Sequence, residues 1–121
     1  RLKIYCVDVG RTGNWGYPIS YSKRQNFRTY ISGLWGINVD PDCVLIDGRF
    51  RVACFFETVR KAPAGCKIIF DDNKNRPHYH IVEEYLPVQR YCGRQAIFEV
   101  QEESKKKISE ALVQSFQMVM S

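Results

Sequence analysis

Cys43-Val44-Leu45-Ile46-Asp47-Gly48-Arg49-Phe50-Arg51 and, further along, Lys67-Ile68-Ile69-Phe70-Asp71-Asp72-Asn73 decide the fold of this chain. Each is a short apolar run of strand character that ends abruptly in carboxylates. The stretch between them, Phe50 to Ala62, repeats its apolar residues at helical spacing, with Phe50, Ala53, Cys54 and Val59 on one face and Phe56 near its edge. Strand, helix and strand in this order predict a parallel βαβ unit, which is right-handed in nearly every case. In open α/β sheets ligands bind outside the carboxyl ends of the strands. Both acidic clusters are therefore expected on one functional edge.

Leu2 to Val9 is rich in β-branched and aromatic residues and reads as another strand. Gly10 to Pro18 holds three glycines and a proline and breaks regular structure. Residues 19–40 read as a long aromatic loop with one short helix, and Asp40-Pro41-Asp42 introduces the strand at Cys43. These strands are apolar throughout, as when helices cover both faces of a parallel sheet. Pro77 suits the first turn of a helix striped by Ile81, Val82, Tyr85 and Leu86. Val88 to Cys92 and Gln95 to Gln101 flank Gly93-Arg94, a hairpin signal. One amphipathic helix is expected over residues 102–121, after a main unit of residues 1–101.

The 121 residues suit one domain, with 45% hydrophobic and 26% charged residues. No apolar run approaches the roughly eighteen residues of a membrane-spanning helix. The net charge of +5 is dispersed, and Lys105-Lys106-Lys107 is offset by Glu102-Glu103. Without a clustered basic face or an RNA-binding motif, a nucleic-acid partner is not indicated. Five cysteines show no C-x-x-C pair. Cys6, Cys43 and Cys54 lie in apolar runs, which suggests buried free thiols in a reducing, cytoplasmic compartment. No Ser-His-Asp or Cys-His arrangement supports hydrolase chemistry.

The order of elements, with Asp8-Val9-Gly10-Arg11-Thr12-Gly13-Asn14-Trp15-Gly16-Tyr17-Pro18, Ile46-Asp47-Gly48-Arg49-Phe50-Arg51 and Phe70-Asp71-Asp72, resembles the second half of class I S-adenosylmethionine-dependent methyltransferases. The resemblance covers roughly residues 2 to 101. It implies a Rossmann-like α/β fold whose sheet order is 3-2-1-4-5-7-6, with Leu2–Val9 as strand 3 and the hairpin as strands 6 and 7. Strand 1 with its glycine-rich loop, and strand 2, would precede Arg1, so the chain is expected to be a fragment, inactive alone, of a longer enzyme. The implied reaction moves a methyl group from S-adenosylmethionine to oxygen or nitrogen of a small molecule or glycan.

The candidate residues follow from both lines of reasoning. Asp47 and Gly48 end a strand where the family borders its cofactor and substrate, though Asp47 also suits a helix N-cap. Asp8 ends the first expected strand, where the family contacts adenine; its alternative is a loop-capping carboxylate. Asp47, Asp72 and Asn73 match the cation ligands of metal-dependent O-methyltransferases, which implies Mg²⁺ as an alternative requirement; Asp71-Asp72-Asn73 is also an ordinary turn composition. His78 is a candidate general base because histidine titrates near neutrality. Trp15, Arg49 and Arg76, with Arg51, are candidate substrate contacts, the arginines for a carboxylate or phosphate. A methyltransferase-fold module without catalysis is the reading from another class.

Overall fold

A computed structural model describes residues 2–121 of the chain. Its centre is the predicted βαβ unit. Strand β1 (Cys43–Ile46) lies parallel to β2 (Lys67–Phe70), and helix α2 (Arg51–Lys61) crosses between them. A shorter helix, α1 (Phe27–Ser32), precedes them, flanked by 3-10 turns at Arg24–Asn26 and Gly33–Gly36. Strands β3 (Arg90–Cys92) and β4 (Gln95–Glu99) form the hairpin, with Gly93 at φ +59° in its turn. β4 pairs antiparallel with β2, so the sheet runs β1-β2-β4-β3.

The core sits on one face of the sheet, where α2 is buried on nearly every side rather than along one stripe. Phe55 packs edge-on against Phe98 with ring centroids 4.7 Å apart and against Phe70 at 5.6 Å, while Phe56 meets Tyr85 and Phe116. Fully buried aromatic side chains of this kind are worth about 3–5 kcal/mol each against truncation to alanine. Glu57 is buried among these rings because Arg28 and Arg60 reach it at 3.0 and 2.6 Å, and both also pair with Glu110. At the carboxyl end of α2, the Lys105 ammonium donates to the carbonyls of Val59, Arg60 and Ala62. A cation there matches the negative end of the helix dipole.

Five expectations are corrected. Leu2–Val9 is a largely exposed segment of irregular backbone without ladder partners rather than a strand. β propensity reports fit to a pleated, half-buried surface, and no neighbouring strand offers that surface here. The sheet is not covered on both faces: burial alternates along β2 and β4, and Leu45 on β1 is 59% exposed. The helix after Pro77 is a 3-10 helix over Pro77–Glu84. The single carboxyl-terminal helix is two, α3 (Glu102–Lys107) and α4 (Glu110–Phe116). Ile108 leaves helical geometry at φ −105°, ψ 108° to bury its side chain, and Ser109 caps α4 by accepting the Leu112 N–H. Cys6 and Cys43 are exposed free thiols; Cys66 is buried. Burial pushes the Cys54 thiol up to about 12, leaving it an inert packing group.

Candidate functional site

The parallel register builds the site. Ile46 stands beside Phe70, so the next residues, Asp47 and Asp71, leave the sheet side by side, and the Asp71 N–H donates to the Ile46 carbonyl at 3.0 Å. Carboxylate oxygens of Asp47, Asp71 and Asp72 all lie within 4.8 Å of one another. Among the described residues, three non-glycine residues adopt left-handed backbone: Trp15 (φ 60°), Phe50 (φ 54°) and Asp72 (φ 58°). Trp15 and Asp72 line the hollow around these acids, and Phe50 follows Arg49, which also lines it. Such strain gathers where surrounding structure fixes a side chain for function.

Arg51 is the keystone. Its side chain, 4% exposed, donates Nε to the Gly48 carbonyl and Nη1 to the Asp71 carbonyl, both at 2.9 Å, and reaches Asp72 at 3.3 Å and Asp47 at 3.4 Å. One guanidinium thus ties the end of β1 to the end of β2. Arg76 and Arg94 also pair with Asp72, and Gln95 donates to Asp71.

The two neighbouring acids diverge in acidity. Loss of hydration raises the Asp47 carboxyl above its ordinary value, the hydrogen bond and charge of Asp71 raise it further, and Arg51 offsets only part. Burial pushes Asp71 up as well, but the Gln95 amide, the hydrogen bond from Asp47, Arg94 and Arg51 together hold it below the usual carboxylate value. Their surroundings thus push the two neighbouring carboxyls apart, Asp47 upward and Asp71 downward.

Two cavities meet at this edge. One, of about 500 Å³, is lined by Trp15, Tyr17, Asp47, Arg49, Arg51, Asp71, Asp72, Arg76 and Arg94. The other is a groove of about 590 Å³ along β1, walled by Tyr5, Cys6, Tyr30, Trp35 and Val44 and closed by Asp47, Gly48 and Arg49. Both volumes suit a small-molecule ligand. Asp47 and Arg49 belong to both walls. Gly48 leaves room for the Tyr30 hydroxyl, which would collide with a Cβ there and which accepts the Arg49 N–H at 3.1 Å.

The structure brings Asp47, Asp72, Trp15, Arg49 and Arg76 into one hollow, and Gly48 onto the adjoining groove. Asp8 lines neither cavity; its carboxylate accepts the Gly10 N–H at 2.9 Å and pairs with Lys23. His78 is exposed and bonded to Ser121. Partial loss of hydration, then the charge of Arg76, lowers its pKa from 6.5. Asn73 is fully buried with both amide atoms unpartnered, and it lines neither cavity. Sequence reasoning missed Asp71 as the neighbour of Asp47; counting the parallel register from the two strand ends would have found it.

As a divalent-cation site the acids fit poorly. Their spacing is within reach of one ion, yet each carboxylate is already paired with arginine, and four guanidiniums line the hollow against three carboxylates.

Among the described residues no helix is long and apolar enough to cross a membrane. No family model and no curated protein match the chain. The chain is similar to a methyltransferase-like protein from Silicibacter pomeroyi, known from a crystal structure at 1.80 Å resolution, with 32% identity and a TM-score of 0.80. The similarity covers 97% of this chain and 62% of that protein, so the chain spans less than two thirds of its length. The chain therefore has a methyltransferase-like α/β fold.

Proposed function

We propose that this chain is the acceptor-side part of a class I methyltransferase that moves a methyl group from S-adenosylmethionine to oxygen or nitrogen of a small molecule or glycan. The observation that carries the reading is the structural match to a methyltransferase-like protein over nearly the whole chain. The strand order β1-β2-β4-β3 supports it, being the order 4-5-7-6 that class I sheets have at this end.

When bound, S-adenosylmethionine supplies an electrophilic methyl group on a positively charged sulfur. The methyl group would be presented at the carboxyl end of β1, beside Asp47 and Gly48, while the groove along the open edge of β1 is the place that strand 1 would take in the longer enzyme. The charged hollow then receives the acceptor. Asp47, on the shared wall, would take the acceptor's proton while the acceptor's lone pair bonds to the methyl carbon and the electron pair of the breaking carbon–sulfur bond stays on sulfur. Its raised pKa suits a base better than Asp71 does. Arg51 holds Asp47 in place, and the rim of Trp15 and Tyr17 limits how the acceptor enters, so alignment carries much of the rate.

The test has two stages. Reading the coding DNA upstream of Arg1 for an apolar strand followed by G-x-G-x-G defines the longer product to express. Calorimetry on that product should then show saturable S-adenosylmethionine binding. In the same protein Asp47→Ala should lower kcat by about 10²–10⁴-fold while leaving that binding intact. Absence of binding would favour the non-catalytic module, and an Asp47→Ala protein of normal turnover would remove Asp47 from the chemistry.

A further inference from the structure

One charged group in the hollow has no partner. The Arg49 side chain is buried, its residue only 8% exposed, and its Nε and Nη1 are sealed from solvent without an acceptor. No carboxylate among the described residues pairs with it, whereas Arg51, Arg76 and Arg94 all do so with Asp47, Asp71 or Asp72. The Tyr17 ring lies 4.0 Å from the guanidinium carbon, and its face favours a cation but accepts no planar hydrogen-bonding fork. A buried, uncompensated charge is among the most destabilising features a fold can hold. The excess of four guanidiniums over three carboxylates in the lining resides on Arg49.

We infer that the hollow binds an oxyanion, a phosphate or carboxylate carried by the methyl acceptor, with Arg49 as its anchor. This deepens the transferase reading and rests on it for the word acceptor, though not for the anion site itself. Arg49 supplies the unspent charge, and turning its guanidinium toward the ligand would free the sealed Nε and Nη1 as part of a planar fork matched to an oxyanion. Tyr17 backs the guanidinium with its ring, and Arg76 and Arg94 at the rim draw the anion inward without surrendering Asp72. The carboxylates of Asp71 and Asp72 are neutralised by those arginines, so they do not repel the ligand. Asp47 remains on the same wall to take a proton from a nearby hydroxyl or amine of the same molecule.

The test uses the 121-residue chain and calorimetry with two probes, sodium phosphate and sodium benzoate. Saturable binding of either supports the site, and the tighter of the two tells a phosphorylated acceptor from a carboxylic acid. Arg49→Met should weaken that binding about 10- to 100-fold, and Arg49→Lys by less, because the charge survives without the fork. Where Arg49→Met fails to fold, the native protein still answers: the Arg49 Nε–H resonance should shift saturably with the bound anion. Binding of neither probe, equal binding by a folded Arg49→Met protein, or an unmoved Arg49 Nε–H overturns the inference. Anion binding without S-adenosylmethionine binding in the longer product sinks the transferase and leaves the site; the converse sinks only the site.

Discussion

The two cavities at the end of β1 are built from opposite materials. The groove is apolar and aromatic, walled by Tyr30, Trp35 and Val44 beside the open edge of β1, whereas the hollow is lined by four arginines and three aspartates beneath Trp15 and Tyr17. Asp47 and Arg49 serve both, so the stretch between them is a partition rather than a turn. It is fastened unequally. On the charged side Arg51 grips the Gly48 carbonyl, Asp47 and the end of β2; on the groove side the Tyr30 hydroxyl accepts one N–H. The lesson is that a strand end can separate an apolar groove from an ionic hollow, provided buried charge holds it rigid.

The sharpest way to break this contrast is Arg51→Met. Removing it leaves the Gly48 and Asp71 carbonyls and two carboxylates without their buried donor, and the loss should be about 3–5 kcal/mol by urea denaturation. A loss below about 1 kcal/mol would mean that the partition is held elsewhere.

Next in size is Gly48→Ala, which drives a methyl group into the Tyr30 hydroxyl and should destabilise by about 1–3 kcal/mol. Adding Tyr30→Phe to that protein removes the obstructing oxygen and should recover part of the loss, despite the hydrogen bond to Arg49 that it gives up. Purely additive effects of the two changes would separate Gly48 from the groove wall.

A smaller effect is expected in acid. Asp71 has a folded pKa below its ordinary 3.8, so the stability it contributes is present above 3.8 and is lost as the pH falls through the folded value. Asp47 has the opposite sign: its folded pKa lies above 3.8, so its ionisation opposes folding, and lowering the pH through that value relieves the penalty. Asp71→Asn should therefore flatten the acid limb of a stability-versus-pH curve, and Asp47→Asn should steepen it. Identical limbs in the two variants would contradict the assigned pairing. The smallest response belongs to Mg²⁺: with every acid already paired to arginine, millimolar Mg²⁺ should change Tm by less than about 1 °C. A saturating rise of several degrees would restore the metal reading.

Much of the frame was legible because its signals are local. The apolar runs at Cys43–Ile46 and Lys67–Phe70, the turn residues between helix and strand, and Gly93 in the hairpin all act within a few residues. Leu2–Val9 was misread because a strand exists only with a neighbour to pair with, and propensity cannot announce one. The break at Ile108 was hidden because helical spacing continues across it while burial of one side chain decides the geometry. Within the site, Asp47 and Asp72 could be placed by the rule for strand ends, yet the weight carried by Arg51, and the isolation of Arg49, arise from distant residues. Arginine in a sequence gives no sign of whether it will face solvent, grip a carbonyl or lie buried without a partner.

The chain's two tryptophans stand one in each cavity, Trp15 on the hollow and Trp35 on the groove. A phosphate titration followed at their two indole N–H resonances is thus the most direct trial of two separate chambers. Saturable movement of the Trp15 signal with the Trp35 signal stationary is the predicted outcome. Movement of both with a common midpoint, or of Trp35 alone, would contradict it.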